Sequence, residues 1–285
     1  MVPLSPTRPR RWLALLVVMS AVACGRSADR ADPPTTAVTT APPTTAGTAL
    51  LTTTAPTTVP ATTSPPTTAP PTTVSAGPAQ VVSRGDANRR TVALTFDAGA
   101  DAGHTAQILD VLDRSAVKST FGIAGRWAEE YPDLVRRIAA AGHLVMNHSY
   151  EHRSFTGVSA RPGLLSAAER VADVERADNA IRALTGQSTL PWFRSPYGDY
   201  DASLQAVLGS LGYRYNVLWT VDSLGWQGLS AGSITTRCLE RAVPGAILLF
   251  HVGSTSQDAA ALPDIITGLR SAGYGFGTVA DVIGG

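Results

Sequence analysis

The chain has 285 residues, 44% of them hydrophobic, and a formal net charge of +1. That balance lacks the clustered basic surface a nucleic-acid partner needs, and the length permits one or two domains. Two cysteines, Cys24 and Cys238, give no basis for a disulfide framework.

Residues 1–24 read as an export signal. Arg8, Arg10 and Arg11 make a positive start, and an apolar stretch follows from Trp12 to Ala23. It is short of the ~20 apolar residues of a membrane span and suits the core of a signal peptide. "AVAC" closes it. Ala21 and Ala23 fit small-residue cleavage before Cys24, and the same four residues resemble a bacterial lipobox, in which the cysteine is lipidated and becomes the mature N-terminus. Two localisations follow: a cell-membrane lipoprotein facing the wall, held through a lipid on Cys24, or a secreted protein.

Residues 25–84 read as a linker. From Pro33 to Val74 the sequence is almost only Thr, Pro and Ala, and no charged residue lies between Asp32 and Arg84. So little large apolar surface cannot offset the entropy of folding. The prolines favour extended conformations, which makes the segment a semi-rigid spacer. Its composition also suits O-glycosylation.

Residues 85–285 have the size of one domain. "RTVALTFDAG" reads as a buried strand and "HTAQILDVLDRSA" as a helix with Ile108, Leu109 and Leu112 on one face. "KSTFGIAG" is a second strand, "YPDLVRRIAAAG" a helix stopped at Gly142, and "HLVMNHS" a third strand. A long helix, "LLSAAERVADVERADNAIRALTG", ends at Gly186. "TLPWFRSPYG", "YRYNVLWTVDS", "AILLFHVGS" and "YGFGTVADVI" add four strand candidates. Strands alternating with helices argue for parallel pairing, and seven candidates favour a closed or nearly closed α/β barrel. Asp97, His148, Arg194, Asp222 and His251 each end or follow an apolar run. In such barrels the site lies at the C-terminal ends of the strands.

Taken singly these residues have ordinary structural readings. "NHSYEH" puts His148 and His152 four residues apart, which on a helical turn would share one face as paired metal ligands do. Alone, such a pair is more often a surface or capping feature. Arg194 in "FRSPYGDYD" reads as an ion-pair partner, Asp222 in "WTVDSLGW" as a cap between two core tryptophans, and His251 in "AILLFHVG" as a core histidine. Cys238 reads as a buried helical thiol.

As an ordered set they resemble the polysaccharide deacetylases of the NodB type, the family four carbohydrate esterases. "TFDAG" matches the first family motif, usually Thr-Phe-Asp-Asp-Gly. "HSYEH" matches the second, "RSPYG" the third, "DSLGW" the fourth and "LFH" the fifth. The resemblance covers the chain from Thr91 to about Ile283. It implies a distorted (β/α) barrel preceded by a disordered Thr/Pro-rich stalk. It also implies a metal-dependent hydrolase, most simply a zinc enzyme, that removes N-acetyl groups from a glycan polymer. Carried over, Asp97 would be the general base, Arg194 its orienter, and His148 and His152 metal ligands. The Tyr197 N–H would stabilise the oxyanion, and Leu249 would line the acetyl pocket. His251 would be the acid, and Trp226 would join Tyr197 and Leu249 around the substrate.

The pattern departs from the family at two positions. Ala98 stands where the second aspartate, the third metal ligand, is usual. Asp101 and His104, just beyond it in "DAGADAGH", are candidate replacements. Gly225 stands where the fourth motif usually has a second acidic residue, and this leaves Asp222 either to orient His251 or only to cap its turn. The resulting expectation is a deacetylase of a cell-envelope polysaccharide, with peptidoglycan suggested by location. A catalytically inactive wall-binding module and an O-acetyl esterase are the alternatives.

Overall fold

The computed structural model describes residues 77–160 and 163–284. The expected signal peptide, the lipobox-like "AVAC" and the linker up to residue 76 lie outside them. Among the described residues no helix is long and apolar enough to cross a membrane.

Nine strands are described: β1 Gln80–Val82, β2 Thr91–Ala98, β3 Thr120–Ile123, β4 Leu144–Asn147, β5 Trp192–Phe193, β6 Tyr215–Val217, β7 Val221–Asp222, β8 Ile247–His251 and β9 Gly275–Gly277. Eight helices accompany them: α1 Thr105–Arg114, α2 Gly125–Glu130, α3 Pro132–Ala140, α4 Ala167–Thr185, α5 Ala202–Ser210, α6 Ala231–Arg241, α7 Asp258–Ser271 and α8 Val279–Ile283. Every strand pair is parallel. The sheet runs β1-β6-β5-β4-β3-β2-β8-β7, with β9 added to β2.

Two results differ from the sequence expectation. The fold reaches back before residue 85, because Gln80–Val82 pairs with Tyr215–Val217. The run "YRYNVLWTVDS" is also two strands rather than one. β7 is one end of the pairing order and β6 lies beside β1, the other end, so the barrel opens along a seam between β1 and β7.

Local signals explain the ends of the helices. α4 begins in a capping box, in which Ser166 and Glu169 satisfy each other's free backbone N–H, and it stops at Gly186 in the left-handed conformation. Asp201 and Ser230 cap α5 and α6.

The alternation along β2 sets both the core and the site. Val92, Leu94, Phe96 and Ala98 belong to the larger apolar cluster beneath the helices. There the Phe96 ring stacks between Phe121 and Phe250, at centroid distances of 5.2 and 5.4 Å. The opposite row is Ala93, Thr95 and Asp97. Ala93 packs with Met146, Val217 and Ile247 inside the barrel, and the row becomes polar toward the C-terminal end.

His143, just before β4, is buried and its Nδ1 accepts the Ser119 N–H. Burial, helped by Lys118, lowers its pKa to about 4, so the folded state holds it neutral. The unfolded chain takes up this proton near pH 6.5. Stability is therefore fully present above that pH and is lost as pH falls toward 4, by up to about 3 kcal/mol. Urea midpoints measured from pH 7 to pH 4.5 should show the decline. His143→Gln, which keeps an acceptor for Ser119, should make it shallower.

Candidate active site

Asp97 ends the polar row of β2, in register with Gly122 on β3 and His251 on β8. A Cβ at Gly122 would come 2.6 Å from Asp97 Oδ1, so the glycine makes room for the carboxylate. Arg194, the residue after β5, is fully buried beside it. Its Nη1 donates to Asp97 Oδ1 at 2.8 Å and to Thr95 Oγ1 at 2.9 Å. Its Nε donates to the Val217 carbonyl at 2.9 Å and its Nη2 to the Leu218 carbonyl at 3.3 Å. All three guanidinium nitrogens are thus engaged, and the fork is fixed. Burial pushes the Asp97 carboxyl up, but Arg194 above all, with His148 and His251, holds its pKa below the ordinary carboxylate value. The result is an ionised carboxylate with Oδ1 committed to Arg194 and Oδ2 turned toward His148.

His148 and His152 do not share a helical turn. They lie on the loop after β4, where Ser149 and His152 take positive φ values of 66° and 53°. Asn147 shapes that loop: its Oδ1 accepts the Ser149 N–H, and its Nδ2 donates to the Val174 carbonyl and to the Tyr213 hydroxyl. Ser149 Oγ then accepts the His152 N–H. These bonds sustain a backbone that non-glycine residues adopt only at a cost.

The imidazole centroids are 4.9 Å apart. His148 Nδ1 lies 2.9 Å from the Arg194 carbonyl. A carbonyl only accepts, so Nδ1 carries the proton and Nε2, 3.5 Å from Asp97 Oδ2, is free as a base or ligand. Burial lowers the pKa of both rings, that of His152 to about 3. His152 also leans over Gly99, where a Cβ would meet its Cδ2 at 2.7 Å, and sits edge-on to the Tyr197 ring.

Two neutral imidazoles beside a carboxylate oxygen are the donors a divalent cation takes. Among the described residues, however, no three His, Cys, Asp or Glu side chains gather as a closed metal set. Ala98 contributes a fully buried methyl. The structure does not bring the expected replacements to the imidazoles. Asp101 Oδ1 accepts the Ser254 N–H and Oδ2 its hydroxyl, which ties down the turn after β8. His104 is the residue before α1, and neither residue lines the cavity. The donor set fits a cation held by His148 and His152 that completes its shell from solvent and substrate.

A cavity of about 570 Å³ opens over these residues and is also lined by Tyr197, Trp219, Asp222, Trp226, Leu249 and His251. Trp226 and Tyr197 are half-exposed at its rim, and Leu249 is buried in its wall. Asp222 does not bond to the His251 ring. Its Oδ1 accepts the Leu224 N–H at 2.8 Å and its Oδ2 the Trp226 Nε1–H at 3.2 Å. It therefore caps its turn and fixes the rim tryptophan. Sequence reasoning passed over Thr95, Gly99 and Asn147. Their small or neutral side chains give no chemical signal by themselves, although Thr95 and Gly99 belong to "TFDAG" and Asn147 directly precedes "HSYEH".

A polysaccharide deacetylase family model matches residues 84–216. Over 203 residues the chain is 30% identical to the peptidoglycan-N-acetylmuramic acid deacetylase PdaA of Bacillus subtilis, covering 70% of this chain and 73% of that protein. It is 33% identical over 198 residues to a peptidoglycan-N-acetylglucosamine deacetylase of Bacillus cereus, covering 68% of this chain and 69% of that one. The chain belongs to the polysaccharide deacetylase family. Among solved structures of this carbohydrate esterase family, it resembles a Bacillus anthracis protein described as a pseudoenzyme. The two share 28% identity with a TM-score of 0.65, over 72% of this chain and 69% of that one. The expected distorted (β/α) barrel of the deacetylases is borne out, with the seam as its distortion.

Proposed function

We propose that this polysaccharide deacetylase hydrolyses N-acetyl groups on a cell-envelope glycan, with peptidoglycan as the preferred polymer. The observation that carries the reading is the buried Arg194–Asp97 pair, which holds an ionised base at the floor of a cavity whose wall carries His251. A binding module has no use for a desolvated base and its orienter. The named activities of the two Bacillus relatives support the substrate class.

Asp97 accepts a proton from the attacking water as its oxygen adds to the acetyl carbon. Arg194 keeps Asp97 ionised and aimed. The Tyr197 N–H faces the developing oxyanion, and Leu249 packs on the acetyl methyl. His251 donates a proton to the amide nitrogen as the C–N bond breaks, leaving acetate and a free amine on the sugar. A divalent cation at His148 and His152, zinc first, would supply Lewis acidity that acidifies water and polarises the carbonyl. Export fits this substrate: the domain acts outside the membrane, either tethered through a lipid on Cys24 or secreted.

Ala98 and the likeness to a pseudoenzyme favour a second reading, an idle glycan binder. One experiment separates the two. The full chain is stripped of metal with a chelator and assayed for acetate release from N-acetylated peptidoglycan, with and without added zinc. Zinc-dependent release supports the hydrolase. Retained binding to the wall with no release under any divalent metal supports the binder. Release from O-acetylated but not N-acetylated polymer would reassign the chain as an esterase.

A further inference from the structure

Gly225 replaces the acidic residue usual in the fourth motif, and the structure shows what fills the space of the missing side chain. A Cβ at Gly225 would lie 2.5 Å from Asp258 Oδ1 and 2.3 Å from Ser256 Oγ. Asp258 opens α7, seven residues after His251, and is completely buried. Its Oδ2 accepts the His251 backbone N–H at 2.8 Å. The Ser223 and Ser256 hydroxyls lie near the carboxylate, but its Oδ1 is buried without a hydrogen bond of good geometry among the described residues, and so is Nδ1 of the His251 ring. Two buried, complementary, unpartnered polar atoms on residues already joined by a backbone-to-carboxylate hydrogen bond are rare in a folded protein, because a buried polar group left without a partner loses its hydration with nothing in return.

We propose that Asp258 is the positioning carboxylate of His251, supplied from the start of α7 in place of a side chain at position 225. This inference rests on the deacetylase reading above, in which His251 delivers the proton to the departing amine. A proton-donating imidazole needs Nε2–H toward the substrate and an acceptor for Nδ1–H behind it. Oδ2 on the His251 backbone N–H anchors the carboxylate, and Oδ1, not bonded to the ring in the resting geometry, becomes that acceptor when the imidazole turns toward it. Asp222 is not free for this role, because both of its oxygens are held by Leu224 and Trp226. Gly225 follows from the same packing, since any larger residue there displaces the carboxylate that replaced it.

The test is Asp258→Asn in the full chain. The amide oxygen can stay on the His251 N–H, which preserves the local fold. The NH2 group then stands where Oδ1 was and needs Nδ1 as its acceptor, which is the opposite tautomer. With 15N-histidine labelling, and His251 assigned through His251→Gln, the expected result is a switch of the protonated ring nitrogen from Nδ1 to Nε2. kcat for acetate release should fall on the order of 10²-fold or more with KM unchanged. Gly225→Asp combined with Ser256→Gly and Asp258→Ala returns a carboxylate from the other side and should recover kcat relative to Asp258→Ala. An unchanged tautomer in Asp258→Asn, or wild-type kcat in that variant, would overturn the proposal. If the wild-type chain releases no acetate, the deacetylase reading fails, while the tautomer measurement still decides the pairing of Asp258 with His251.

Discussion

Asp97→Asn should lower the rate of acetate release about 10²- to 10⁴-fold, the range typical of a lost general base, while leaving the chain folded. The amide oxygen can still accept from Arg194, so the guanidinium keeps a partner and its carbonyl and hydroxyl acceptors stay in place. What is lost is the ability of Oδ2 to take a proton. Glycan binding should be retained, because the cavity walls are unchanged, and KM should move little. Acetate assays with circular dichroism as a folding check test this. A variant at wild-type rate would remove Asp97 from the chemistry.

Arg194→Met should cost more in stability than in any single hydrogen bond. Arg194 has no exposed surface and Asp97 is 7% exposed. Removing the cation leaves a buried, uncompensated carboxylate, an effect on the order of 3–5 kcal/mol. The pH dependence should reverse in sign. In the wild type the Asp97 pKa is held below its ordinary value, so its contribution is present above about pH 4 and is lost as pH falls through the lower, folded pKa. In Arg194→Met the remaining influence of burial raises it, and the variant should gain stability as pH falls and Asp97 becomes neutral. Asp97 adds no slope to the wild type between pH 5 and pH 7.5, and His143 tilts both proteins alike, so the gap in urea midpoint between Arg194→Met and the wild type should narrow from pH 7.5 to pH 5. Asp97→Asn added to Arg194→Met should recover part of the loss, because both buried charges are then gone.

The fold was legible where hydrophobic period and punctuation agreed. The run ending at Asp97, the Gly142 and Gly186 stops and the strand before His251 all fall where the sequence puts them. Strand β1 escaped because Gln80–Val82 is short, largely exposed and preceded by linker composition. The histidine loop was misjudged because spacing alone implies a helix. Its real geometry comes from Asn147, whose amide bonds to Ser149, Val174 and Tyr213, and contacts that distant have no signature in local sequence. Asp258 was passed over for the opposite reason. An acidic residue in the first turn of a helix has a sufficient ordinary explanation in the helix dipole, and only Gly225, far from it in the chain, shows the space it fills.

The strand that carries Asp97 has an order-of-synthesis problem. β2 is flanked on one side by β8 and on the other by β9 and β3 in succession, since Ala93 pairs with both Ile247 and Gly277 while Thr95–Ala98 pairs with Thr120–Ile123. Translation delivers β3 soon after β2, but the β8 partner comes only after residue 246. Until then the strand keeps a bare, strongly apolar edge, the kind of surface that templates association between chains. A fragment ending at residue 216, where the family match stops, would keep that edge permanently and would lack His251 as well. Such a fragment should aggregate rather than fold, so the last forty or so residues close the sheet as well as supplying chemistry, and the catalytic floor becomes rigid only when nearly the whole chain is present.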